Sequence, residues 1–511
     1  MNLVLLAILP LSLWAISRIL VILYRLTWHP LAKFPGPKWA ALTSAYEFYF
    51  DAIKGGQCTF EIGRMHKKYG PIVRISPSEL HVSEPGFIDE LYPGPGKVRD
   101  KYSYATGQFG VFCAVSHNLH RMRRGALNPY FSKAAVAKLE PVIYATVDKL
   151  CRRLEQVANS TDSVDLVMAF SCMTTDIVTQ YAFAESSNFL DSTTFAPNFH
   201  EAILAGTRMG AWARHFPILF PILRSIPMDI SSMARGKRHS VSKYKEAPGL
   251  TQHLVINKSM KKKVSDIWHE ESAFTAKKND AIQHRSTIFH ELFHANIPDS
   301  EKGPDRMWQE GQIVIGAGTE TTAWTLTATM FFILNNPGVL AKLTKELETA
   351  IPACYDQPSC RKLEGLPVYN AVIQEGLRLS HGVATRLQRI NPQGPMTFRQ
   401  SAADVPTGEK VWKIPTGTPV GMTAVLVHLN EDLFPEPLEF RPERWLDEDG
   451  KRDPRLEKIY IVVLQSLAYS ELDMGIGILI RRLGGRLQLF ETDWTDVDMV
   501  EDCFVPVPKR D

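Results

Sequence analysis

The sequence predicts a mainly α fold with a small β region, set behind an N-terminal transmembrane helix. Three observations carry this. Long amphipathic stretches run from about residue 134 to 330, strand-like runs are short and clustered near 72–82 and 412–420, and the first 24 residues are mostly apolar. Helices that dominate a few clustered strands define this class. The chain has 511 residues, 45% hydrophobic and 22% charged, so a large core is available and wholesale disorder is excluded. At about 150 residues per domain the length suggests three domains. No linker, repeat or low-complexity tract divides the chain. The reading is one domain over 46–511, after an anchor at 1–25 and a proline-rich hinge at 26–45.

The N-terminus justifies the anchor. Met1 to Ile16 is apolar apart from Asn2, Pro10 and Ser12; Ser17 and Arg18 interrupt it, and Ile19 to Tyr24 resumes it. About 20 apolar residues span a bilayer. Arg25, His29, Lys33 and Lys38 follow, and no Lys or Arg precedes. That asymmetry predicts a single pass with the body in the cytoplasm. A cleaved signal peptide would need a charged start and a small-residue cleavage site, which are missing. Pro30, Pro35 and Pro37 cannot continue a helix and form the hinge. The N-x-S/T matches at Asn159 and Asn257 would then face the cytosol as chance occurrences.

Further elements follow in order. Residues 60–69 read as a helix, followed by strands at 72–75 and 79–82 around a Pro77 turn. The stretch 257–281, with Lys261, Lys262 and Lys263 in a row, reads as a solvated helix or loop. Residues 337–350 and 369–379 are helices, the first with proline in its first turn. Residues 412–420 are strand-like, with a turn at Pro415 and Gly417. A net charge of +3 is too small to indicate nucleic acid. Seven cysteines without a C-x-x-C pair argue against a disulfide framework and a zinc site.

Three places could carry chemistry. The long apolar pattern at 311–334 contains Gly316-Ala-Gly-Thr-Glu-Thr-Thr322. Helical glycine costs about 1 kcal/mol relative to alanine, so Gly316 and Gly318 around Ala317 make sense where something flat approaches the backbone. Glu320 beside Thr321 could relay protons to a buried centre; a tightly packed core helix explains the same residues. Glu375 and Arg378 share one helix face and can pair, with Arg444 of Phe440-Arg-Pro-Glu-Arg-Trp445 as a third member. Taken singly, each reads as a surface salt bridge. His120 and Arg124, four apart on a short helix, can address one anion, while Arg121 and Arg123 face elsewhere as a docking patch. A solvated basic face is the plain alternative.

In this order, these pieces resemble the cytochromes P450, from the anchor to the C-terminus. The likeness is to fungal microsomal members of secondary metabolism similar to trichodiene oxygenase, carried by Phe60-Glu-Ile-Gly-Arg64, Tyr69-Gly-Pro-Ile-Val-Arg-Ile-Ser76 and Ala468-Tyr-Ser-Glu-Leu472. The resemblance implies a cytochrome P450-like fold on the endoplasmic reticulum membrane. It implies a haem-thiolate monooxygenase acting on a lipophilic, terpenoid skeleton, with electrons from NADPH through NADPH–cytochrome P450 reductase docked near Arg121. It makes Glu320 and Thr321 the acid–alcohol pair, and Glu375, Arg378 and Arg444 a structural triad. His120, Arg124 and Arg389 would grip haem propionates beside Ala317 and Gly318. Residues 104–115 and 383–385 would line the substrate pocket.

One departure cuts against that activity. The family's F-x-x-G-x-R-x-C-x-G element should lie between Tyr460 and Leu467, where Ile461-Val-Val-Leu-Gln-Ser466 stands instead. The flanks fit and roughly ten residues are lost, with the axial cysteine among them. Cys503 lies where the family has no ligand, and nothing around His428 forms the required loop. Three origins account for the gap. A misplaced splice boundary is one, and the long insert at 399–410 points the same way. A true deletion leaving an inactive relic is another. The third is a haem-free protein kept as a membrane-anchored binding partner.

Overall fold

The computed structural model describes residues 3–103, 114–158, 162–192, 194–195, 199–216, 248–277, 287–400, 410–453, 455–456 and 466–509. Among these residues helices dominate, and the strands form one five-stranded sheet and two hairpins.

The first helix, α1, runs Leu3–Thr27 with Pro10 inside it. Among the described residues no helix is long and apolar enough to cross a membrane. Pro10, Ser12, Ser17 and Arg18 break the apolar run that the sequence presents as an anchor. The helix instead leaves Leu13, Trp14, Ile19 and Leu20 exposed. Helix α2 (Cys58–Tyr69) starts two residues earlier than the pattern suggests and stops at Gly70.

Strands β1 (Ile72–Arg74) and β2 (Leu80–Val82) pair antiparallel around the Pro77 turn. The two-residue strands β3 (Asp100–Lys101) and β4 (Arg389–Ile390) pair antiparallel, with Lys101 opposite Arg389. β5 (Met396–Gln400) and β6 (Lys410–Ile414) form a hairpin. β7 (Pro419–Gly421) joins β2 in parallel and β4 antiparallel. The run at 412–420 is therefore two strands in two sheets, separated by the turn at Gly417. The main sheet has the order β1-β2-β7-β4-β3. β8 (Met499–Cys503) and β9 (Val505–Pro508) make the C-terminal hairpin.

The helical body comprises α3 (His117–Leu127), α4 (Glu140–Val157), α5 (Leu166–Phe183), α6 (Phe199–His215), α7 (Pro248–Lys277) and α8 (Ile288–His294). It continues with α9 (Pro304–Asn335), α10 (Pro337–Ala350), α11 (Pro367–Leu379) and α12 (Ser466–Leu483). Pro304, Pro337 and Pro367 open their helices, where a missing N–H costs nothing. Helices α5, α9 and α12 are buried on most sides and form the main core with α4, as expected of helices apolar nearly all round. Lys261 and Lys263 in α7 sit on its solvated side, paired with Asp305 and Glu185.

Candidate functional site

Helix α9 is the axis of the site. Its glycines do different work. A Cβ on Gly318 would lie 2.9 Å from Val178 Cγ2, so Gly318 lets α5 approach and does not face a cofactor. Gly316 has open space on its Cα side, Ala317 is exposed, and the Thr321 hydroxyl donates to Ala317 O at 2.8 Å. Gly316, Ala317 and Thr321 thus form the open face of small side chains, and Gly318 belongs to the packed one. Thr174 of α5 donates to Thr319 O at 3.1 Å and ties the two helices.

Glu320 is 1% exposed and turns away from Thr321. Its Oε1 lies 2.5 Å from His200 Nδ1 of α6. Nothing local in the sequence announces His200, which stands 120 positions earlier. A buried carboxylate needs such a partner. Deeper in the same helix Thr322 lies beside Glu471 of α12, whose carboxyl is pushed well above the usual carboxylate range by burial.

Glu375 and Arg378 are fully buried at one end of α11. Arg378 Nε and Nη2 donate to the two Glu375 oxygens at 2.9 and 2.8 Å. Arg444 Nε, Trp445 Nε1 and the Arg441 N–H complete the shell at 3.0, 2.8 and 2.9 Å. Arg378 also donates to the carbonyls of His428 and Pro437. The lock therefore pins the irregular segment 428–445 to α11, a three-dimensional role far from the surface bridge each pair suggests alone.

A basic cluster forms where α3 meets the β3–β4 ladder. His117, His120 and Arg124 share one face of α3, and Lys101 and Arg389 stand opposite each other across the ladder. Burial first, then Lys101, Arg389, Arg124 and His117, hold the His120 imidazole down at about 4. Burial also lowers Arg124 and Arg389. Arg389 lies over the Tyr92 ring and donates to Gln388 O. Arg123, read as part of a free docking patch, is bound bidentately by Glu301 at 2.8 and 3.0 Å, while Arg121 remains exposed.

Sequence reasoning also missed a buried ionic knot. Arg386 bridges Glu47 and Glu79, and Arg214 of α6 holds Asp51 at 2.7 Å. It ties the short helix Ala45–Phe48, the main sheet, α6 and the segment after α11 together. Of the pocket expected at 104–115 and 383–385, positions 104–113 lie outside the described residues. Val383 and Thr385 are half-buried, and Ala384 N–H bonds Phe504 O at 2.9 Å.

A long helix with an open face of small side chains, a basic cluster between α3 and the β3–β4 ladder, and a buried Glu–Arg lock together make the frame of a mainly helical protein. The sequence model of cytochrome P450 matches residues 49–460, and the chain belongs to the cytochrome P450 family. It is 39% identical to a cytochrome P450 monooxygenase of Cochliobolus heterostrophus, over 96% of this chain and 92% of the relative. It is 38% identical to tryptophan 6-hydroxylase of Fusarium equiseti, over 95% and 92%. It is 36% identical to conidiogenone synthase of Penicillium rubens, over 90% and 89%.

The family implies a haem held through a cysteine thiolate. The basic cluster suits the carboxylates of such a group. The iron end does not fit. No cysteine lies between Cys360 and Cys503, and the family match stops at 460, where the ligand loop should begin. Positions 457–465 lie outside the described residues, as does Cys113. The thiols of Cys151, Cys172, Cys360 and Cys503 are pushed up to about 12 by burial, and that of Cys58 well above its ordinary value. A protonated thiol is not the ligating form. Cys172 and Cys360 spend their S–H on the Phe195 and Ser470 carbonyls. Among the described residues, those at the family's ligand position do not make a haem-thiolate site.

Proposed function

We propose that the intact gene product is a monooxygenase of lipophilic, terpenoid secondary metabolites. On this reading α1 seats it on the endoplasmic reticulum membrane, and NADPH–cytochrome P450 reductase docks near Arg121. The observation that carries it is the undamaged frame: the Glu375 lock and the open face at Gly316, Ala317 and Thr321, in a chain aligned with fungal oxygenases over nearly its whole length. Thr321 would hold and pass protons at that face, with Glu320 buried behind it on His200 as the acid that supplies them. The relative named as a tryptophan 6-hydroxylase extends the substrate range to be tested to indole amino acids.

One observation favours a second reading for the 511-residue chain itself. With no cysteine from 361 to 502, it would keep the binding frame and lack the thiolate, as a relic or a membrane-anchored binding partner. The test compares two proteins, this chain and one with an F-x-x-G-x-R-x-C-x-G segment restored between Tyr460 and Leu467. The restored protein should give the reduced carbon-monoxide spectrum of thiolate-ligated haem and NADPH-dependent oxygenation with reductase, and this chain neither. A restored protein that gives no thiolate spectrum refutes the monooxygenase reading. A thiolate spectrum from this chain refutes the second.

A further inference from the structure

We infer that Glu271 of α7 with His290 and His294 of α8 binds one divalent transition-metal ion, zinc by the chemistry of its donors. The site uses neither the Glu375 lock nor the open face of α9, and it holds for the chain with or without a cysteine loop.

Helix α8 carries His290-Glu-Leu-Phe-His294. Histidines four apart on a helix stand one above the other on the same face. H-E-x-x-H is the spacing at which two such imidazoles hold one zinc ion. Alone, the pattern carries little; its placement here adds a third donor. Ile288, Phe289 and Leu292 fasten α8 in the core, and both histidines meet Glu271. His294 Nε2 lies 2.9 Å from Glu271 Oε2, and His290 Nε2 lies 3.4 Å from Oε1. Two imidazole nitrogens thus converge on the two oxygens of one buried carboxylate. Two histidines and a glutamate are the donor set of a zinc site that keeps its fourth position for water. The cysteine pattern argues only against a thiolate zinc site, and this one uses no thiolate.

The surroundings meet the other needs of such a site. A ligating imidazole is oriented by the bond its second nitrogen makes. His290 Nδ1 lies 2.6 Å from the Thr287 hydroxyl and accepts the Thr287 N–H at 3.2 Å. When Nε2 turns its lone pair to a metal, the ring proton moves to Nδ1 and the hydroxyl accepts it. Without a metal, the same three side chains form a plain hydrogen-bonded cluster with the imidazoles as donors. An ion also needs a way in. His294 lines a groove of about 580 Å³ between α3 and α8, with Asn118, Arg121, Met122 and Glu291. The approach to Glu271 runs along this groove, past the exposed His294 ring. Imidazole donors favour zinc, copper, nickel and cobalt over magnesium and calcium, which prefer oxygen.

The full chain, untagged and in detergent, is titrated with Zn²⁺ against a chromophoric chelator, and separately with Mg²⁺ and Ca²⁺. One Zn²⁺ should bind per chain, at least about a hundredfold more tightly than Mg²⁺ or Ca²⁺. Co²⁺ in its place should give the visible bands of a four-coordinate site. His294→Ala should weaken Zn²⁺ binding at least about a hundredfold, since loss of an outer-shell partner alone costs about 10–100-fold. The His294 side chain is 61% exposed, so its removal leaves the core packing intact. On the unaltered chain, Zn²⁺ should slow amide exchange in α8 and in α7 around Glu271, so a variant that folds poorly does not leave the result open. No bound Zn²⁺ overturns the proposal, as does Zn²⁺ binding that His294→Ala leaves unchanged. Mg²⁺ binding equal to that of Zn²⁺ overturns it too, because the donors would then be oxygens alone. So does protection confined to segments other than α7 and α8, which would put the ion elsewhere.

Discussion

Glu375 shows how much one residue can hold. It is fully buried and satisfies two guanidinium groups, an indole N–H and a backbone N–H. Replacing it leaves Arg378 charged and buried without its acid, which costs about 3–5 kcal/mol. Glu375→Ala should lower stability by that amount in urea unfolding, and Arg444→Ala by less, because Arg444 is only partly enclosed. Gly376 is a second point of tension. A Cβ there would strike the Thr329 side chain of α9, so Gly376→Ala should cost about 1–3 kcal/mol through overpacking. The Glu–x–x–Arg spacing was legible in the sequence, and so was Arg444. The role of Gly376 was not, because it depends on a neighbouring helix whose approach no local pattern records. Gly318 shows the opposite error. Its residue type was noticed, but it was assigned to the open face of α9, whereas it stands on the packed face, where Val178 needs the space.

Two elements are held by titratable contacts at their ends. Helix α6 is fastened to α9 by His200 on Glu320 and to the N-terminal region by Arg214 on Asp51, with Trp212 and His215 against Phe48. Residues 217–247, which follow it, lie outside the described residues. His200→Ala should leave a buried carboxylate unsatisfied and loosen α6 by about 1–3 kcal/mol, seen as faster amide exchange along α6 and a shifted Trp212 emission. The C-terminal hairpin carries Asp502, which burial pushes up to about 6 despite the hydroxyl of Thr59 at 2.6 Å. An acid that protonates more readily when folded contributes stability below its ordinary value of 3.8 and loses it as pH rises through about 6. The hairpin should therefore be firmer near pH 4 than at pH 7. Asp502→Asn should remove that dependence and gain about 3 kcal/mol at neutral pH, measured by amide exchange at Val505 and Val507. Neither contact could be read from sequence. Both join elements more than a hundred positions apart, whereas α2, α9, α10 and α11 were visible from periodicity and proline placement.

At the scale of the whole molecule, the open question is what the exposed apolar side chains of α1 meet. Leu13, Trp14, Ile19 and Leu20 together with Trp28 and Trp39 present a greasy flank at one end, and exposed apolar patches of this kind mark interaction surfaces. On the proposed seating of α1 at a membrane, removing residues 1–27 should release the chain from a membrane pellet to the supernatant; a full-length chain that never pellets, or a truncated one that still does, refutes that seating. The order of the lock matters at this scale too. Among the described residues every donor to Glu375 lies before residue 446, upstream of the place where this sequence lacks the family's cysteine loop. The group that would give the fold its chemistry is thus separable from the group that secures it. A chain silenced in this way need not raise its unfolded population, and unfolded population is what chaperones and proteases act on. In a living cell it would pass as native, with a half-life matching that of its loop-restored counterpart.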